Sequence, residues 1–151
     1  MGAFAPPSDA ALVERCRVAG LKVTPQRVAI YRALVATDAH PTPEDVFHAV
    51  RDAVPGLSLG TVYKTLDALE AAGLVAQVAL PNQAKRYDGN RAPHHHLICT
   101  VCHRIVDFTD PAFDALAPSS PIGGFVAERV EVRVRGRCGA CDEGSPEENH
   151  G

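Results

Sequence analysis

A chain of 151 residues holds one ordinary domain or two small ones. Hydrophobic residues make up 46% and charged residues 22%, but aromatics only 5% with no Trp, so any core rests on Val, Leu, Ile and Ala; a small lobe of that kind gains from a metal clip or a dimer interface. The net charge of −3 does not advertise nucleic-acid binding, although the charge is uneven: residues 1–88 balance nine basic against nine acidic side chains, and four of the nine acids in residues 89–151 follow Cys141.

The N-terminus, MGAFAPPSD, lacks a basic region followed by a long apolar stretch, and no apolar run approaches the roughly 18 residues of a membrane span. A cytoplasmic protein with reduced thiols is the expectation, and there closely spaced cysteines bind metal or do redox chemistry. Four helices follow in order. Ala10 to Ala19 places Leu12, Val13, Cys16 and Val18 near one side, with Gly20 to stop it. Thr24-Pro25 pairs an N-cap with Pro at the first helical position, and Thr42-Pro43-Glu44-Asp45 repeats the device. Ser58 starts the fourth helix, which buries Val62, Leu66 and Leu69 and ends at Gly73. VAQVAL and AKRYD, around Pro-Asn-Gln, then predict two short strands.

Helices closed by a hairpin fit a winged helix-turn-helix over residues 1–88, with the recognition helix between Leu57 and Leu74. Thr61, Tyr63, Lys64 and Thr65 are its expected DNA-facing residues, and Arg27, Lys85 and Arg86 could contact the backbone. The same elements also occur in interaction domains that bind no DNA.

Residues 89–141 read as a second, mostly β domain: strands at 92–98 and 103–108, a short helix from Asp110 to Ala117, and a strand from Phe125 to Val134. Residues 142–151 form a polar, acidic tail expected to be disordered. Cys99-Thr-Val-Cys102 and Cys138-Gly-Ala-Cys141 are the most specific motifs. Each C-x-x-C turn aims two sulfurs at one tetrahedral centre, and two turns complete a closed structural zinc site. A pair of redox dithiols is the competing interpretation, and Cys16 stands apart as a small core residue. His94 and His96 face one side of a strand. With Asp107, Asp88 and His40 they could form a five-donor nitrogen and oxygen site suited to Fe2+ or Mn2+; a solvated polar run is the plainer alternative.

The chain resembles the ferric uptake regulator family of metal-dependent bacterial repressors. The resemblance runs from about Leu12 to Cys141, through Thr24-Pro25-Gln26-Arg27, Ala39-His40-Pro41-Thr42, Thr61-Val62-Tyr63-Lys64-Thr65-Leu66, Arg86-Tyr87-Asp88, His94-His95-His96-Leu97-Ile98-Cys99 and the second C-x-x-C. It implies an α+β homodimer on palindromic operator DNA, with a winged-helix domain and a small α/β dimerisation domain. It further implies a zinc clip at Cys99, Cys102, Cys138 and Cys141 and a regulatory ion on His40, Asp88, His94, His96 and Asp107. Tyr63 would be the base-reading residue. Aspartate at 88 and 107, where iron-uptake repressors tend to carry glutamate, is similar to the peroxide-sensing branch. Pro93 and Val130 stand where some members carry the histidines of an auxiliary metal site, so that site is expected to be missing. In the peroxide-sensing branch a histidine ligand, His40 or His94 here, would be oxidised in the Fe2+ form. No Ser/His/Asp set, phosphate loop or H-E-x-x-H motif argues for an enzyme.

Overall fold

The computed structural model describes residues 5–116 and 121–143. Its chain divides into two compact units, Met1–Arg91 and Ala92–Gly151.

The first unit opens with α1 (Asp9–Val18), α2 (Pro25–Val35), α3 (Pro43–Val50) and α4 (Leu59–Ala71). Side-chain caps set each start. Ser8, Thr24, Thr42 and Ser58 accept from the backbone N–H three residues on, and at α3 Asp45 returns the bond to Thr42 N, closing a capping box. Gly20 and Gly73 follow α1 and α4 at φ 76° and 72°, a left-handed conformation that glycine adopts without a Cβ clash. Leu12, Ile30, Tyr31, Leu34, Val46, Leu66 and Leu69 interlock as one core. On α1 only Leu12 and Cys16, one turn apart, are buried; Val18, expected on that face, is exposed.

β1 (Ala76–Val78) and β2 (Arg86–Asp88) form the antiparallel wing, registered Ala76 to Asp88 and Val78 to Arg86. Gly89 follows β2 because its Cα passes the backbone of Leu34 so closely that a Cβ would meet it at 3.1 Å. Helices with a hairpin wing make this unit a winged helix-turn-helix.

The second unit holds a three-stranded sheet, β4 (Ile105–Phe108), β3 (His95–Cys99) and β5 (Arg133–Gly136), in that order. β3 runs antiparallel to β4 and parallel to β5. One face carries Ile98 and Ile105, both buried; the other presents Leu97, Val106 and Val134, paired in register and half exposed. Two single-turn helices, α5 (Pro111–Asp114) and α6 (Gly139–Asp142), complete it.

Three expectations need correction here. The strand expected over Phe125–Val134 exists only from Arg133. A strand requires a partner, and the β3 edge first engages at Val132, whose carbonyl accepts from His96 N. Before that, Gly123 and Gly124 at positive φ turn the chain and leave Val126 exposed despite its alternating pattern. The helix expected to reach Ala117 ends at Asp114, and Ala117 lies outside the described residues. Of the expected tail, Asp142 and Glu143 end and cap α6, and residues 144–151 lie outside the described residues.

Candidate metal centres and nucleic-acid interface

The two C-x-x-C turns meet. Cys99 ends β3, Cys102 lies in the β3–β4 turn, and Cys138 and Cys141 flank the start of α6, with all four Sγ atoms within 4.8 Å of one another. Cys102 Sγ and Cys138 Sγ are 3.7 Å apart. A tetrahedral ion with bonds to sulfur of about 2.3 Å needs a separation of roughly 3.8 Å, which the Cys102–Cys138 pair already has, so the cluster fits zinc. The thiols are unequal. Backbone N–H groups of Cys102, Cys138 and Val101 draw Cys99 down to about 5, whereas hydrogen bonding to Cys138 pushes Cys141 up to about 12. The peptide dipoles hold one thiolate; holding four requires a cation.

A second set of donors lies within the second unit. His94 Nε2 and His96 Nε2 stand 3.4 and 3.3 Å from the same oxygen of Asp107, and both rings are buried. These distances exceed the roughly 2.7–3.2 Å of an N–H···O bond. His94 Nδ1 lies 2.6 Å from Ala92 O. That carbonyl can only accept, so Nδ1 carries a proton, and in the neutral ring the Nε2 lone pair faces the carboxylate. Lone pair and carboxylate repel unless a cation lies between them, so the donor chemistry fits a metal ion. Behind His96, Nδ1 lies 3.3 Å from Glu131 Oε1. Burial opposes ionisation of Glu131, but Arg133 and His96 outweigh it and hold the carboxyl below its ordinary value.

Within the first unit His40 and Asp88 are both buried, with Nε2 3.4 Å from Oδ2. His40 stands at φ 53°, a left-handed conformation that costs a non-glycine residue about 1–2 kcal/mol. The Arg86 guanidinium donates to the carbonyls of both Ala39 and His40, and Pro41 O accepts from Tyr87 N. The wing therefore imposes the loop conformation that turns His40 toward Asp88. Arg86, expected to reach the DNA backbone, is half-buried and gives two of its guanidinium nitrogens to these carbonyls.

His95, between His94 and His96, points to the opposite sheet face. Its Nδ1 accepts from Val132 N at 3.1 Å and its Nε2 donates to Asp114 at 2.7 Å, with Phe108 and Phe113 packed around the ring. It is a structural pin rather than a ligand.

On α4 Tyr63 and Lys64 are exposed. Tyr63 donates to Glu44 at 2.8 Å, which raises its phenol's pKa. Thr61 shares the Ser58 hydroxyl at 2.9 Å. Arg27 is half-buried and donates to Lys22 O. Thr65, expected on the DNA face, is 2% exposed; it lies three residues after Val62 and four before Leu69, on the buried stripe, and offers no surface to a partner. No helix among the described residues is long and apolar enough to cross a membrane.

A winged helix-turn-helix followed by a small α/β unit bearing thiolate and nitrogen/oxygen donor sets defines a metal-dependent transcription regulator. The profile of the Ferric uptake regulator family matches residues 18–134, and the chain belongs to that family. It is similar to the peroxide operon regulator of Bacillus subtilis, 34% identical over 139 residues that span 91% of this chain and 94% of that one. It is also similar to the peroxide-responsive repressor PerR of Staphylococcus epidermidis, 32% identical over 84% of this chain and 85% of that one. Among solved structures, the ferric uptake regulator from Pseudomonas aeruginosa with manganese is similar at TM-score 0.71 and 28% identity, covering 84% of this chain and 97% of that one.

Proposed function

We propose that the protein is a dimeric repressor that binds palindromic operator DNA when its regulatory ion is present and releases it when hydrogen peroxide oxidises a histidine ligand. One observation carries this reading: two buried imidazole nitrogens converge on a single oxygen of Asp107. His94, His96 and Asp107 supply three donors, and His40 and Asp88 two. Neither set alone fills the shell of a hard divalent ion, and the mixture of nitrogen and oxygen suits Fe2+ or Mn2+. Serving one ion, the five side chains would couple the DNA-binding unit to the dimerisation unit. The ion favours the DNA-binding arrangement only by binding it more tightly than the alternatives.

Zinc at Cys99, Cys102, Cys138 and Cys141 would be structural, because four thiolates leave no open position for a reactant. The half-exposed apolar face of Leu97, Val106 and Val134 supports a second copy as its cover. Tyr63, Lys64, Thr61 and Arg27 form the proposed DNA-binding set, with Tyr63 and Lys64 supplying its exposed side chains.

Bound Fe2+ would supply the redox chemistry with hydrogen peroxide that Mn2+ does not. In the balanced change an imidazole C–H of His40 or His94 gains one oxygen atom and the peroxide leaves as water. The oxidised ring is a poorer ligand, and the operator is released.

Operator binding titrated with Mn2+ tests the reading. The wild-type chain is expected to bind only with the ion present, and Asp107→Ala to lose metal-dependent binding while keeping its zinc. Unchanged binding by the variant would overturn the proposal.

A further inference from the structure

We infer that Glu131 is a positioning residue for the regulatory ion, holding His96 from behind through Nδ1; this rests on the regulatory site proposed above. The two metal-facing imidazoles of this unit have different backing. His94 Nδ1 meets a neutral carbonyl, Ala92 O, at 2.6 Å. His96 Nδ1 faces a carboxylate, Glu131 Oε1, at 3.3 Å, a charge contact just beyond hydrogen-bond length that a small turn of the carboxylate would close. Carboxylate backing fixes the ring orientation and tautomer and makes the opposite nitrogen a better donor. His96 therefore has the charged backing of the pair, and His94 the shorter, neutral one.

The backbone puts Glu131 there. Val132 N donates to His95 Nδ1 at 3.1 Å, and Val132 O accepts from His96 N at 3.0 Å. Val132 is thus held at both its N–H and its carbonyl against the His95–His96 segment, and Glu131 precedes it directly. Arg133, paired with His96 in the sheet register, steadies the carboxylate with Nε 3.2 Å from Oε1. With a third of its side chain exposed (34%), Glu131 can turn toward His96 without the cost of full burial.

The experiment measures Mn2+ affinity of the zinc-loaded full-length chain by the electron paramagnetic resonance of free Mn2+. Glu131→Ala is expected to weaken binding about 10–100-fold, with zinc content and thermal midpoint held at the wild-type values. Glu131→Gln keeps an acceptor without the charge and should recover part of the loss. Glu128→Ala, a nearby exposed carboxylate, should leave affinity unchanged and so excludes a general charge effect. A Glu131→Ala affinity within about two-fold of wild type would overturn the inference, as would an equal loss in Glu128→Ala or a Gln variant no better than Ala. If the wild-type chain itself binds no Mn2+, the regulatory-site proposal fails along with it.

Discussion

The two units solve the problem of a small core in different ways. Among the described residues, 18 of the 21 buried apolar side chains belong to the first unit, and only Ile98, Cys99 and Ile105 to the second. The first unit is held by interlocked aliphatic side chains and capped helices, and needs no ion to explain its stability. The second buries three successive histidines, and Cys99 is the one buried thiol of a partly exposed four-cysteine cluster. Such groups are costly to bury unless hydrogen-bonded or bound to metal. The unit poorest in apolar core is thus the one that carries the thiol cluster and three of the five proposed regulatory donors, and this suits the regulator proposed above.

Removing zinc should separate the units most sharply. Cys138→Ser, or chelation, is expected to abolish hydrogen-exchange protection in β3–β5 while α1–α4 stay protected, because metal-binding energy is folding energy in such a site; equal protection in both forms would deny the clip. Next in size is Leu97→Glu, which places a charge on the exposed face of β3. Sedimentation should show dissociation with a loss on the order of 2 kcal/mol or more of dimer stability, and an unaltered dimer would move the interface elsewhere. Arg86→Ala removes the guanidinium from the carbonyls of Ala39 and His40. It should cost the first unit about 1.5–3 kcal/mol by denaturant unfolding and leave zinc content unchanged.

The smallest effect belongs to the capping box of α3. Asp45→Ala should cost about 1 kcal/mol. Hydrogen bonding from Thr42 holds the Asp45 carboxyl below its ordinary value despite opposing burial. The carboxylate's contribution is therefore fully present above the unfolded carboxylate pKa and is lost as pH falls through the lowered folded value. Acid titration of unfolding free energy should show this slope in the wild type and a shallower one in the variant.

Local signals made the first unit legible. Thr24-Pro25, Thr42-Pro43 with Asp45, and Ser58 each announce a helix start within four residues, and the helix starts fall there. The C-x-x-C pairs were equally legible, since chemistry fixes their spacing. What escaped depends on distant segments. Nothing near Arg86 in the chain says that it will clamp carbonyls 46 and 47 residues away. Glu131 sits among alternating valines that imitate a strand, and only the register of Val132 on β3 reveals its neighbour. Thr65 is a different kind of miss: the spacing of Val62, Leu66 and Leu69 already placed it on the buried stripe.

The most direct test of the account is peptide mass spectrometry after hydrogen peroxide treatment of the Fe2+ and Mn2+ forms, with zinc content and operator binding measured on the same samples. The account predicts one added oxygen on the His40 or His94 peptide in the Fe2+ form alone, with zinc retained and DNA released. Cysteine oxidation with zinc loss ahead of any histidine adduct would contradict it, and would make the sulfur cluster the sensor.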